Sequence, residues 1–147
     1  MQKKILVVED HNDCRELLMI QLRTMGYRVV EAATGEDAIW KALDEIPDLI
    51  IMDLGLPVIS GIDATIKLKE DKKTAQIPVV ALTARDDAAH KKRAKKAGIE
   101  AFFTKPISLQ ALKQVMQKIL TANGPTPIPI VRKAEDLRRA LIGSTGG

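Results

Sequence analysis

The stretch LIIMDLGLP, residues 49–57, carries the clearest structural signal in the chain. Four apolar residues lead directly into Asp53, and such continuous hydrophobicity is typical of a strand covered on both faces, as in a parallel sheet. Four further runs show the same character to different degrees, the weakest near residue 102. We therefore predict five short strands, at residues 5–8, 27–30, 49–52, 79–82 and 101–103.

Segments with helical periodicity lie between these runs, with apolar residues recurring at intervals of three and four. Gly26 is placed to end the first helix, and Pro47 stops the second. Thr34 opens the second with a sequence similar to a capping box, and Ser108 is a candidate N-cap for the last. The predicted helices cover residues 18–25, 39–46, 61–70, 86–97 and 109–119, of which 86–97 is polar and exposed.

Strands that alternate with helices favour an α/β fold, here a doubly wound, five-stranded parallel sheet. Right-handed crossover connections would place helices on both faces of this sheet. In such folds ligands bind outside the carboxyl ends of the strands, near the point where the strand order reverses. The residues that follow each strand are therefore the first candidates for function.

Composition restricts the setting in which the protein works. The chain has 147 residues, 46% of them hydrophobic and 29% charged, which is typical of a globular domain. Its single cysteine, Cys14, excludes an intramolecular disulfide and suits a reducing cytoplasm. No apolar run approaches the ~20 residues of a membrane-spanning helix. We predict a cytoplasmic protein that does not interact with membranes.

The net charge of +4 is unevenly distributed, because five basic residues crowd into residues 91–96. Such a cluster can attract the phosphates of nucleic acid. A solvated helix face also explains it and is the interpretation we favour. Aromatic residues are only 3% of the chain, so the stacking surfaces of single-strand binders are not expected.

The character of the sequence changes after residue 121. We predict a single domain over residues 1–121 and a stiff Pro-rich linker over residues 122–131. The tail, residues 132–147, contains one segment that could form a short helix. Because the tail is short, we expect no DNA-binding output domain. The chain would then be a stand-alone signalling domain or a fragment of a longer protein.

Chemically active residues follow four of the predicted strands. Glu9 and Asp10 follow the first, Asp53 the third, Thr83 ends the fourth, and Lys105 follows the fifth. In a parallel sheet these residues would meet in one crevice. Crowded carboxylates raise one another's pKa unless a cation intervenes, and Mg²⁺ with oxygen ligands satisfies such a cluster.

The same residues suit phosphoryl transfer. Asp53 can act as a nucleophile that forms an aspartyl phosphate. Lys105 supplies a positive charge for phosphoryl oxygens, and Thr83 can donate a hydrogen bond to them. Taken singly, each residue also occurs as an ordinary loop or strand-end residue. Their joint occurrence at the ends of successive strands points to a phosphoryl-transfer site.

These motifs resemble the receiver (response-regulator) domain of two-component signalling over residues 1–121. ILVVED at residues 5–10 resembles the family's first strand with its acidic pair. IIMDLGLP at residues 50–57 resembles its phosphorylation strand and loop. VALTA at residues 80–84 and AFFTKP at residues 101–106 resemble its fourth and fifth strands. The resemblance implies a flavodoxin-like strand order of 2-1-3-4-5.

The resemblance also implies a role for each residue of the site. Asp53 would accept the phosphoryl group, while Thr83 and Lys105 would bind the phosphoryl oxygens. For Mg²⁺, Asp10 would bind the ion directly and Glu9 mostly through water. Asp53 and the backbone carbonyl of Gly55 would complete the metal ligands.

Signal output would follow from a switch at the fifth strand. Phe102 falls where the family has its switch aromatic, which moves toward Thr83 on phosphorylation, and the Lys105–Pro106 bond is expected to be cis. A histidine kinase or histidine phosphotransfer protein would supply the phosphoryl group. A downstream protein would bind the face of the fourth helix, fifth strand and fifth helix, whose basic fourth helix suits an acidic partner.

Three departures from the family's pattern bear on this interpretation. The acidic pair is Glu-Asp rather than Asp-Asp, Phe102 has no hydroxyl, and Gly55 and Arg85 occupy variable positions that tune phosphate lifetime.

A Mg²⁺-dependent phosphatase is a competing function. It usually needs an acid at the position of Gly55, so we expect catalysis only of the domain's own phosphorylation and dephosphorylation. Two further hypotheses are a nucleic-acid-binding module and an unphosphorylated scaffold.

Overall fold

The computed structural model describes residues 2–122. Five strands alternate with five helices along this part of the chain, as the sequence predicts. Their bounds are β1 Lys4–Val8, α1 Asn12–Thr24, β2 Arg28–Ala32, α2 Gly35–Glu45, β3 Leu49–Asp53, α3 Gly61–Glu70, β4 Val79–Thr83, α4 Ala88–Ala97, β5 Ala101–Thr104 and α5 Leu109–Ala122.

The five strands form one parallel sheet in the order β2-β1-β3-β4-β5, which confirms the predicted fold class. The apolar runs of β3 and β4 are buried along their whole length, while the four residues of β5 are each half-buried. This difference follows from position, because β3 and β4 have a neighbouring strand on each side and β5 lies at an edge.

Side-chain alternation divides the core between the two faces of the sheet. On one face Leu6, Ile50 and Met52 pack in a cluster with the buried alanines of α2, α3 and α4. On α1, Leu18 and Leu22 are buried, and this helix packs against β1 and β2. Helices therefore shield the sheet, which explains why the central strands consist mostly of apolar residues.

The helix ends use the predicted signals. Thr34 Oγ1 accepts a hydrogen bond from the Asp37 backbone N–H at 3.0 Å, and Ser108 Oγ accepts one from the Ala111 backbone N–H at 3.2 Å. Gly26, just beyond α1, has a φ of +99°, a left-handed conformation that glycine adopts without steric cost. The largest difference is in α1, which begins at Asn12 rather than at residue 18. Among the strands, β2 differs most, because it begins at Arg28 rather than at residue 27 and continues to residue 32.

Residues Met1–Met116 form one compact unit, and Gln117–Gly147 are grouped as a second. Of the second unit the structure describes only the end of α5. The predicted linker and tail, residues 122–147, thus lie outside the described residues apart from residue 122. Between residues 2 and 122, no helix has the length and apolar character needed to cross a membrane.

Candidate functional site

The parallel sheet brings the residues that follow β1, β3, β4 and β5 to one edge of the domain. Glu9, Asp53 and Thr83 are all buried there, with exposed fractions of 2%, 5% and 2%. A cavity of about 870 Å³ lies at this edge and is lined by Asp53, Gly55, Thr83 and Lys105 among others. The structure therefore brings the predicted acid, hydroxyl and ammonium groups to one crevice.

Lys105 joins the two buried carboxylates. Its Nζ donates a hydrogen bond to Glu9 Oε1 at 2.8 Å and lies 3.5 Å from Asp53 Oδ2. The backbone N–H of Lys105 donates to the Thr83 carbonyl at 2.8 Å, which holds the residue beside the end of β4. The Lys105–Pro106 peptide bond is cis, as expected.

These contacts separate the pKa values of the two acids. Burial raises the pKa of Glu9, but hydrogen bonds, foremost from Lys105 and the His11 backbone N–H, outweigh it and hold this pKa at about 2. Burial raises the pKa of Asp53, and the neighbouring Glu9 carboxylate raises it further against the opposing Gly55 N–H. A raised pKa at one of two crowded carboxylates is the behaviour expected from the sequence.

The acidic loop after β1 offers metal ligands. Glu9, Asp10 and His11 each present a ligand atom, and these atoms lie within 4.8 Å of one another. Asp10 Oδ1 is buried and, among the described residues, has no hydrogen-bond partner. A carboxylate oxygen in this state is costly unless a cation or water satisfies it. This loop therefore fits a hard divalent cation such as Mg²⁺.

The other two predicted metal ligands lie across the crevice at the end of β3. Asp53 Oδ1 accepts a hydrogen bond from the Gly55 backbone N–H at 3.0 Å, which fixes the orientation of the carboxylate.

His11, the residue after Asp10, has a side chain that is 72% exposed. Its Nδ1 nevertheless lies 3.2 Å from Glu9 Oε2 and 3.4 Å from Asp10 Oδ1, so it belongs to the acidic cluster.

The loop between β3 and α3 approaches the site closely. A Cβ added at Gly61 would lie only 2.7 Å from the Leu54 Cα and would collide with the Asp53 carbonyl oxygen. Ser60 caps α3, because its Oγ accepts from the Asp63 backbone N–H at 3.1 Å. The absence of a side chain at Gly61 thus allows α3 to begin directly against Asp53.

One residue of the site, His90, was not predicted from the sequence. Its side chain is buried, and its Nε2 lies 3.2 Å from Thr83 Oγ1. Its ring meets the ring of Phe102 edge-on, with centroids 5.9 Å apart and an interplanar angle of 77°. His90 and Ala94 are spaced i, i+4 on α4, so the buried face of this helix was the signal that could have found it.

Phe102 lies on β5, half-buried against the core cluster. Besides the contact with His90, its ring lies 5.6 Å from Lys91 Nζ, a cation–π distance. All five basic residues of the 91–96 cluster are exposed, as expected for a solvated helix face. The start of α4 therefore contacts the aromatic residue that the family resemblance predicts to be the switch.

A parallel sheet in the order 2-1-3-4-5 with an acidic site at its carboxyl edge defines the class of two-component receiver domains. Residues 5–117 match the family described as the response regulator receiver domain, and the chain belongs to this family. Receiver domains are signalling domains that interact with kinases and downstream targets, and they bind Mg²⁺ at the acidic site.

Individual relatives differ in length. The phosphate regulon transcriptional regulatory protein PhoB of Pseudomonas aeruginosa is 35% identical over 123 residues, 84% of this chain and 54% of that protein. This chain thus spans about half the length of that regulator. The polar-differentiation response regulator DivK of Brucella ovis is 33% identical over 120 residues, 82% of this chain and 98% of that protein.

Solved structures show the same fold. The receiver domain of a sensor histidine kinase from Pseudomonas aeruginosa is 30% identical, with a TM-score of 0.76 over 82% of this chain and 99% of that one. That structure contains a magnesium ion coordinated in its active-site cleft.

Proposed function

We propose that this protein is a phosphoacceptor response regulator that receives a phosphoryl group on Asp53. The observation that supports this most directly is the placement of Asp53. Its carboxylate is buried at the floor of the crevice, with Oδ1 fixed by the Gly55 N–H and Oδ2 3.5 Å from Lys105 Nζ. One oxygen is thereby oriented, and the other faces a positive charge that suits an incoming phosphoryl group.

The phosphoryl donor in this proposal is a phosphohistidine of a histidine kinase or histidine phosphotransfer protein. An Asp53 oxygen attacks the phosphorus in line, an O–P bond forms, and the N–P bond of the donor breaks. The donor imidazole leaves with the electron pair of that bond and takes a proton from solvent. The product is an aspartyl phosphate on Asp53.

Neighbouring side chains stabilise the charge on the transferred group. Lys105 Nζ turns from Glu9 toward a phosphoryl oxygen, and the Thr83 hydroxyl donates a hydrogen bond to another. Glu9, Asp10, Asp53 and the Gly55 carbonyl would hold Mg²⁺. When bound, the ion neutralises the acidic cluster and supplies positive charge to the phosphoryl oxygens.

Output in this proposal depends on Thr83 and Phe102. As Thr83 moves toward the phosphoryl group, Phe102 turns toward the space that the hydroxyl leaves. This change biases a two-state equilibrium and alters the face formed by α4, β5 and α5. The exposed basic residues of α4 favour a downstream protein with an acidic surface.

A phosphatase acting on external substrates is the competing function. Enzymes of that kind need a general acid close to the nucleophilic aspartate, and the position two residues after Asp53 is Gly55. Asp63, the other aspartate that lines the cavity, lies at the start of α3 and is exposed. The site therefore favours a group held on Asp53 over rapid turnover.

Intact-mass spectrometry of the full chain tests the proposal. Incubation with Mg²⁺ and acetyl phosphate should add one hydroxylamine-labile phosphoryl group to the wild type and none to Asp53→Ala. Asp63→Ala, which removes an aspartate from the same cavity, is the matched control and should be phosphorylated normally. A wild type that gains no phosphoryl group, even with a cognate kinase, would instead identify an unphosphorylated scaffold.

A further inference from the structure

His90 lies between the two residues that the proposed switch requires. Its Nε2 is 3.2 Å from Thr83 Oγ1, and its ring packs edge-on against Phe102. His90 is only 5% exposed, so both contacts are shielded from solvent. A buried imidazole that touches both residues can transmit movement of one to the other.

The hydrogen-bond partners define a consistent tautomer for the ring. Arg93 Nη2, a donor, lies 3.5 Å from His90 Nδ1, so we assign Nδ1 as the acceptor and the ring proton to Nε2. Thr83 Oγ1 then accepts from His90 Nε2–H and also from the Arg85 backbone N–H at 3.0 Å. Both acceptor positions of the hydroxyl are therefore filled by residues of the β4–α4 region.

The backbone of His90 is also held in place. Asp87 caps α4, and its Oδ1 accepts from the His90 backbone N–H at 2.8 Å. Asp87 in turn forms an ion pair with Arg85, Oδ2 to Nη2, at 2.9 Å. Because its backbone is anchored, His90 cannot follow Thr83 toward the phosphoryl group without rotation of its side chain.

We propose that His90 is a positioning residue that holds Thr83 in its unphosphorylated place and couples the release of Thr83 to Phe102. The inference rests on the proposed function. When Thr83 moves to a phosphoryl oxygen, the His90 N–H loses its acceptor inside the protein. A buried donor without a partner is costly, so the ring rotates toward water and abandons its contact with Phe102. Phe102 is then free to turn.

Linkage gives the sign of the effect on affinity. An interaction that exists only in the unphosphorylated state must oppose binding of a phosphoryl group by its own free energy. Removal of the Thr83–His90 hydrogen bond should therefore make the protein bind a phosphoryl analogue more tightly. The ring contact with Phe102 is separable, because different substitutions remove one interaction and keep the other.

Two variants at position 90 make this separation. His90→Phe keeps an aromatic ring against Phe102 and deletes the hydrogen bond to Thr83. His90→Gln places an amide N–H near the position of Nε2 and deletes the ring. Lys92→Ala, an exposed substitution on the same helix, is the matched control.

The full chain is titrated with beryllofluoride in the presence of Mg²⁺, and binding is monitored by NMR through the Thr83 amide signal. His90→Phe should bind about threefold to tenfold more tightly than the wild type, the range that one neutral hydrogen bond supplies. Lys92→Ala should stay within about twofold of the wild type. His90→Gln keeps a donor to Thr83 and loses only the ring contact with Phe102, so its affinity should rise by no more than the free energy of that contact. Equal or weaker binding by His90→Phe would show that His90 does not restrain Thr83.

The imidazole itself provides a second readout, which is measured on the wild type. The chain has two histidines, so the ¹⁵N signals of His90 can be assigned by comparison with His90→Gln. We expect a single Nε2–H tautomer in the free protein and its loss on addition of beryllofluoride. An unchanged Nε2–H signal in the bound protein would overturn the coupling.

The two proposals fail in distinguishable ways. A wild type that binds no beryllofluoride and accepts no phosphoryl group would contradict the proposed function, and the role of His90 with it. A wild type that binds the analogue normally, alongside a His90→Phe variant that binds no more tightly, would contradict the role of His90 alone.

Discussion

Lys105 Nζ lies 2.8 Å from Glu9 Oε1, although the two residues are 96 positions apart in the sequence. The contact connects the end of the edge strand β5 with the end of β1, across the residues that follow β3. It also supplies the positive charge that lets Glu9 remain ionised beside Asp53. The stability of the resting site should therefore depend on this contact.

Lys105→Met is expected to lower the free energy of unfolding by about 1–3 kcal/mol, because it leaves a buried carboxylate without its partner. Urea denaturation measures the loss, and Mg²⁺ should recover part of it. Lys4→Met is the matched control, since Lys4 Nζ pairs at the same distance of 2.8 Å with Glu45 Oε1, a carboxylate that is 32% exposed against 3% for Glu9. Similar losses in both variants would contradict a special role for the buried pair.

Asp10→Asn is expected to weaken Mg²⁺ binding by about tenfold or more, because it removes a negative charge whose buried oxygen accepts no hydrogen bond from the described residues. Isothermal titration calorimetry gives the affinity. Stability without Mg²⁺ should be unchanged or slightly raised, since one of two adjacent carboxylates is gone. Asp13→Asn, an exposed carboxylate on α1, should leave the affinity unchanged. Undiminished Mg²⁺ affinity in Asp10→Asn would exclude this residue as a ligand.

Gly61→Ala is expected to destabilise the domain by about 2 kcal/mol, because its methyl group meets the backbone of Asp53 and Leu54. Gly55→Ala provides the comparison, since a Cβ there would lie at an ordinary 3.6 Å from Asp53 Oδ1. Thermal and urea unfolding of both variants measure the difference. Equal stability of the two alanine variants would show that the β3–α3 loop adapts to the added methyl group.

His90 should make stability depend on pH. Burial lowers its pKa below the ordinary 6.5, Arg85 and Arg93 lower it further, and Asp87 opposes them. Below about pH 6.5 the unfolded chain binds more protons at this residue than the folded chain does, so stability must fall as the pH decreases. Urea titrations from about pH 7.5 to about pH 5.5 should show a shallower decrease in His90→Gln. Parallel slopes would show that His90 titrates alike in both states.

Much of the fold could be predicted because the strands are buried on both faces. Continuous apolar runs such as 49–52 have no other common explanation when turn signals and helices separate them. β2 was the least accurate strand, since its register against β1 depends on pairing that residues 27–32 do not specify alone. The N-caps Thr34 and Ser108 were accurate because capping depends on neighbours three residues away.

The candidate site could be located from the sequence but not resolved. The rule that the carboxyl ends of parallel strands lie at one edge of the sheet brings Glu9, Asp53, Thr83 and Lys105 together, whatever their exact geometry. It gives no distances, and it could not show that Lys105 lies closer to Glu9 than to Asp53. His90 was missed because the segment 86–97 is polar over most of its length and was predicted to be exposed, although His90 and Ala94 share a buried face of α4.

The half-buried state of β5 has a mechanical consequence. The carboxylates of the site follow strands held on both sides, so the part that would receive the phosphoryl group is stiff. Lys105 and Phe102 belong to the edge, where, within residues 2–122, one side of the strand has no neighbouring strand to resist displacement. A small displacement at the crevice is therefore absorbed more readily by β5 than by the central strands, and movement there reaches the surface while the centre keeps its shape.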